Sequence, residues 1–115
     1  METKDALTAL AALAHETRLA VFRLLVETGP EGLPVGKIGE RLGLAPATLS
    51  FHLKELARAD LVTTRHEGRF IYCLTNFATM NSLLAYLTDN CCGGTSTYVP
   101  VCEPVACQPP RKEPS

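Results

Sequence analysis

The sequence predicts a mainly α-helical domain that carries one small β-hairpin. Three observations support that reading. Apolar residues recur at spacings of three and four from the N-terminus to about residue 59. The period then falls to two between Leu61 and Leu74. Helical spacing returns from Phe77 onward.

Each element has its own local cause. Leu7, Leu10, Ala11 and Ala14 mark a first helix, and Leu19, Phe22, Leu25 and Val26 mark a second, from His15 to Thr28. Gly29-Pro30-Glu31-Gly32 breaks the pattern. Val35 to Leu42 reads as a short third helix, ended by Gly43, which suits a left-handed C-cap. Pro46 fits the first turn of a fourth helix that runs to about Ala59. Leu61–Arg65 and Phe70–Leu74 are β-prone, and Arg65-His66-Glu67-Gly68-Arg69 forms the polar turn between them. Phe77, Met80, Leu83, Leu84 and Leu87 give a fifth helix that ends near Asn90. The order α-α-α-α-β-β-α, with a short Gly-containing turn between two helices and then a hairpin, is that of a winged helix-turn-helix.

Composition limits the function classes. The chain has 115 residues, the size of one ordinary domain. Lys plus Arg is 11 and Asp plus Glu is 12, a net charge of -1, which excludes a histone-like polycation and an acidic disordered tail. No apolar run is long enough to span a bilayer, and Met1-Glu2-Thr3-Lys4-Asp5 does not lead a basic segment into an apolar one. No membrane partner is therefore expected, and the expected location is cytoplasmic. Trp is absent and Tyr plus Phe is only 7, so no stacking platform for single strands is evident. Pro30, Pro34 and Pro46 are the prolines of residues 1–90, whereas Pro100, Pro104, Pro109, Pro110 and Pro114 crowd the end beside Gly93 and Gly94. This shift divides the chain into a domain over 1–90 and a Cys/Pro-rich tail over 91–115, for which flexibility is the expectation.

The fourth helix suits a DNA major groove. Leu49, Leu53 and Leu56 lie within about 60° of one another on a helical projection and form its inner face. Ala47, Phe51, Lys54 and Arg58 fall opposite, flanked by Thr48, Ser50 and Glu55. A face of small, hydroxylated and basic residues fits a groove. Phe51 is the odd member, suited to a thymine methyl or to a protein partner. His52 borders the apolar stripe, either as a packed histidine or as a phosphate contact. Arg65, His66 and Arg69 of the hairpin are placed to reach phosphates or a minor groove. From Lys37 to Arg69 the balance is six basic to four acidic residues, a modest footprint that a homodimer would double. The first and last helices carry apolar residues that the middle helices cannot cover. Pairing them across a two-fold axis would set two recognition helices one DNA turn apart.

Leu10–Leu25 (LAALAHETRLAVFRLL), Leu49–Val62 (LSFHLKELARADLV) and Gly68–Leu74 (GRFIYCL) resemble the ArsR/SmtB family of winged-helix repressors over roughly residues 5–90. The resemblance implies a homodimer, double-stranded operator DNA, and release when a thiophilic or transition metal ion binds. It implies no enzyme, and no cysteine sits in a phosphate-cradling loop or a Cys-x-x-Cys near a βαβ unit.

Inducer sites differ between members of the family. The arsenic pattern with cysteines on the third helix is absent, because Val35–Leu42 contains none. The zinc-type pattern on the last helix is absent too, because no His lies between Asn76 and Asn90. Four of the five cysteines, Cys91, Cys92, Cys102 and Cys107, fall in the last 25 residues. Gly93-Gly94 stops the helix, so the thiols of Cys91 and Cys92 can turn toward one ion, with a third sulfur from the tail. Three soft thiolates suit As(III), with Sb(III) of the same chemistry. Adjacent cysteines of this kind also resemble the C-terminal arsenite sites of some members. Zn(II) on four thiolates fits the count but not the spacing of structural zinc sites. Cys102 is the nearer third ligand and Cys107 the alternative; the longer loop costs only about 0.4 kcal/mol more. The same thiols could instead form a redox-sensing disulfide, or be inert residues at a helix end. Cys73, in the second hairpin strand, reads as packing.

Overall fold

A computed structural model describes residues 1–89. The elements run α1 (Thr3–Leu13), α2 (Glu16–Thr28), β1 (Leu33–Pro34), α3 (Val35–Leu42), α4 (Pro46–Arg58), β2 (Val62–Glu67), β3 (Phe70–Thr75) and α5 (Phe77–Leu87). The strands form one antiparallel sheet in the order β1-β3-β2. The expected winged helix-turn-helix order is therefore present, with one strand added.

Local chemistry sets the element ends. His15 caps α2, its Nδ1 accepting the Thr17 amide N–H at 3.1 Å. Gly43 ends α3 at φ 65°, in the left-handed conformation that its position predicts. Pro46 stands at the start of α4, where its missing N–H costs no helical hydrogen bond. Asn76 caps α5 by accepting the Thr79 amide at 3.3 Å. That helix ends at Leu87, three residues short of the expected Asn90.

The core is built by Val21, Phe22 and Leu25 of α2, Ile38 of α3, Leu49 and Leu56 of α4, Leu61 and Val62 before and in β2, Cys73 of β3 and Leu83 of α5. α1 turns its smallest side chains to the core. Ala6 and Ala9 are its buried residues, while Leu7 is 60% and Leu10 39% exposed. The small alanines face inward toward α2 and α4, so the larger leucines fall on the outside. Leu19 of α2 and Leu87 of α5 are also exposed.

The wing is longer and its turn tighter than expected. β2 continues to Glu67, and the Glu67–Phe70 pair closes a two-residue turn, Gly68-Arg69. Gly68 supplies the positive φ, 58°, that such a hairpin requires at its first position. Arg65 lies opposite Tyr72, its guanidinium carbon 4.9 Å from the ring centroid, and its Nε donates to Glu67 at 2.8 Å. These contacts keep the strand paired through residues that read as turn. β1 pairs Leu33 with Cys73 and Pro34 with Tyr72, tying the start of α3 to the wing.

Candidate nucleic-acid interface

α4 has two distinct sides. Leu49, His52 and Leu56 are buried, with Leu53 half-buried beside them. Ala47, Thr48, Ser50, Phe51, Lys54 and Arg58 are all exposed. This is the division that the helical projection predicts. Ala45, at the N-cap, makes no side-chain cap, so the first amides of α4 stay open at that end.

The expected residues do not all lie together. Phe51 is 55% exposed at the middle of α4. Arg58 sits at the far end, 3.2 Å from Glu55, where it lines a cleft of about 410 Å³ with Asp5 and Thr8 of α1 and Thr79 and Ser82 of α5. On the wing, His66 and Arg69 are exposed, Arg69 in the turn itself and His66 on β2 opposite Ile71. Arg65 is half-buried and held within the chain, by Glu67 and by the Glu31 carbonyl, to which Nη2 donates at 3.1 Å. Lys54 and Arg69 form no salt bridge among the described residues.

A contact cluster beneath Phe51 was not legible in the sequence. His52 is buried against the junction of α1 and α2. Its ring centroid lies 4.7 Å from that of His15, and its Nδ1 is 3.4 Å from Nη1 of Arg18. Arg18 in turn donates from Nε to the Ala12 carbonyl at 2.6 Å. Phe51 packs edge-on against the His52 ring, with centroids 5.3 Å apart. Arg18 and His52 are 34 residues apart, so no local pattern signals the contact. Of the two readings the sequence left open for His52, the geometry fits the packed histidine.

Burial lowers the His52 pKa below its ordinary 6.5, and the adjacent His15 and Arg18 lower it further against a smaller opposing effect of Glu55. The folded chain thus resists a proton that the unfolded chain accepts. This contribution to stability is intact above about pH 6.5 and is lost progressively as pH falls from there toward the lower folded-state value. Thermal unfolding of the native chain should lose more stability between about pH 7.5 and pH 5.5 than unfolding of His52→Gln. Equal losses in the two proteins would contradict the assignment.

Cys73 is a buried thiol whose pKa burial pushes up to about 11. It stays protonated at neutral pH and acts as core, as expected. Among the described residues no three His, Cys, Asp or Glu side chains converge on a point that could hold a metal ion. The expected inducer ligands Cys91, Cys92, Cys102 and Cys107, and the tail domain over 91–115, lie outside the described residues. No described helix is long and apolar enough to cross a membrane.

A helix-turn-helix domain model matches residues 13–65. Among curated proteins, the chain is similar to the uncharacterised HTH-type transcriptional regulator YceK of Bacillus subtilis, 41% identical over 61 residues. That match covers 53% of this chain and 60% of YceK, so the chain spans less than two thirds of that relative. It is also similar to the transcriptional activator HlyU of Vibrio cholerae, 32% identical over 82 residues, covering 71% of this chain and 73% of HlyU. The solved structure of HlyU aligns with a TM-score of 0.61 over 80% of this chain and 99% of that one, at 32% identity. A structure described as a possible transcriptional regulator for arsenical resistance aligns at 28% identity and TM-score 0.61, covering 70% of this chain and 81% of its own. The homodimeric winged helix-turn-helix domain of Mb0332 from Mycobacterium bovis shares the fold, with TM-score 0.60 and 24% identity over 84% of this chain and 89% of that domain. Sharing its fold with these proteins and 32% identity with HlyU over 73% of that relative, the chain belongs to the ArsR family of winged-helix transcriptional regulators.

Proposed function

We propose that the chain is a homodimeric repressor that binds double-stranded operator DNA through α4 and the wing, and lets go when As(III) or Sb(III) is captured by thiolates after α5. The exposed row on α4 supports the DNA reading. Ala47, Thr48 and Ser50 are compact enough to let the helix approach base edges, and Lys54, in no salt bridge among the described residues, offers its charge to phosphate. The open amides at the start of α4 add donors for a phosphate oxygen. His66 and Arg69 extend the same role to the wing, and Arg65 braces it from within. The exposed Leu7, Leu10 and Leu87 of α1 and α5 are apolar side chains that a dimer contact along these helices would cover.

The inducer reading rests on the adjacent pair Cys91-Cys92, which follows the last turn of α5 by only a few residues. Arsenous acid would exchange its three hydroxyls for the sulfurs of three thiols, whose protons leave with the hydroxyls as three waters, leaving As(III) bound as trithiolate to Cys91, Cys92 and either Cys102 or Cys107. The end of α5 is a suitable place to apply such a pull. Tyr86, in its last turn, is hydrogen-bonded through its hydroxyl to Thr3 of α1. A displacement there is carried to α1, and so to the proposed subunit contact. Similarity to a structure described as a possible regulator for arsenical resistance agrees with this choice of inducer.

The test is titration of the full chain bound to a duplex selected from random DNA, with thiols kept reduced. Arsenite should release the DNA and Zn(II) at equal concentration should not. Release by Zn(II) alone, or by peroxide without arsenite, would replace this inducer with a zinc or redox one.

A further inference from the structure

Phe51 is the one large apolar side chain that α4 exposes. Its surroundings on that face are polar or small: Ala47 one turn before it, Ser50 beside it, Lys54 one turn after it. A lone ring in a polar row is not a protein-docking patch, which needs contiguous apolar area. The ring is also held. It meets the His52 ring edge-on, and His52 is wedged between His15 and Arg18. A side chain braced from below stays standing when the helix enters a groove.

Phenylalanine offers neither donor nor acceptor, so it reads nothing of the hydrogen-bonding pattern of a base pair. The apolar feature that a major groove offers is the 5-methyl group of thymine. The residues one turn before Phe51 are short, so no neighbour on that side keeps its ring away from the groove floor. We infer that Phe51 is a specificity-determining residue that selects a thymine in each half-site through its 5-methyl group. This rests on the proposed DNA-binding role of α4 and goes beyond it, because it names which base feature one residue reads.

The experiment uses the full chain and a duplex it selects from random DNA. Each thymine of that duplex is replaced singly by deoxyuridine, which removes the methyl and leaves every hydrogen-bonding group in place. One thymine per half-site should prove sensitive, with affinity falling about fourfold, the value of one buried methyl group. Phe51→Ala should bind the unsubstituted duplex more weakly and show no further loss with deoxyuridine at that position, while Phe51→Leu retains part of the discrimination. A native chain indifferent to every deoxyuridine, or a Phe51→Ala protein as sensitive as the native one, overturns the inference while leaving DNA binding standing. A chain that selects no duplex at all overturns both.

Discussion

Cys91→Ser should bind the selected duplex as the native protein does and should show no response to arsenite, if the proposed thiolate site is the inducer site. Two thiolates and a hydroxyl cannot supply the three sulfurs that hold As(III). Coupling between an inducer site and a binding site is typically about 1–3 kcal/mol, so the native chain should lose roughly 5- to 150-fold in duplex affinity when loaded. In Cys91→Ser that ratio should fall to about one. Unloaded affinity should stay within about twofold of native, because residue 91 follows α5 and the exposed row lies on α4. Fluorescence anisotropy of a labelled duplex, with and without arsenite, measures both quantities. A Cys91→Ser protein that no longer binds DNA would end the separation of reader and sensor. Cys102→Ser and Cys107→Ser in the same assay identify the third sulfur, since only the ligand's loss mimics Cys91→Ser.

Gly32→Ala should cost the fold several kcal/mol. Gly32 has φ +75°, and a Cβ built there would lie 2.6 Å from the Cys73 carbonyl oxygen and 3.2 Å from Cβ of Leu74. The Cys73 oxygen and its carbonyl carbon, the latter also 3.2 Å away, are backbone atoms of β3, which cannot swing aside. The unfavourable φ alone costs about 1–3 kcal/mol, and the clash adds to it by prising β1 from β3. β1 leads directly into α3, so the first helix of the helix-turn-helix loses its anchor as well. Gly36→Ala is the matched control. It lies within α3 with open space where the Cβ would go, and should stabilise the chain by about 0.5–1 kcal/mol through helix propensity. Urea unfolding of the two variants beside the native chain gives both values. Equal stability of Gly32→Ala and native would mean that β1 does not hold the wing.

What the sequence revealed depended on how local the cause was. α3 is legible to the residue, because Gly43 stops it by its own backbone preference. The two faces of α4 follow from spacing alone. β1 is two residues long and contains a proline, and it is a strand only because β3 lies beside it some forty residues later. The inward face of α1 is a second contact that spacing does not mark. Hydrophobicity favours Leu7 and Leu10, but at the α1 contact with its neighbours it is Ala6 and Ala9 that are buried. In the site, the exposed residues of α4 were legible and the Arg18–His52–His15 support beneath them was not, since it joins residues far apart in the chain. The cysteines proposed as inducer ligands stand out by crowding and order, a property of composition that α1 through α5 neither require nor oppose.

The split character of α4 has a consequence for how such chains diversify. Its inner side chains are fixed by the demands of the core, whereas the outer ones at positions 47, 48, 50, 51 and 54 lie exposed, with Phe51 meeting only the edge of His52 among the aromatic rings. Changes at positions 47, 48, 50, 51 and 54 therefore leave the scaffold intact, and a lineage can retune which promoters it occupies without rebuilding its architecture.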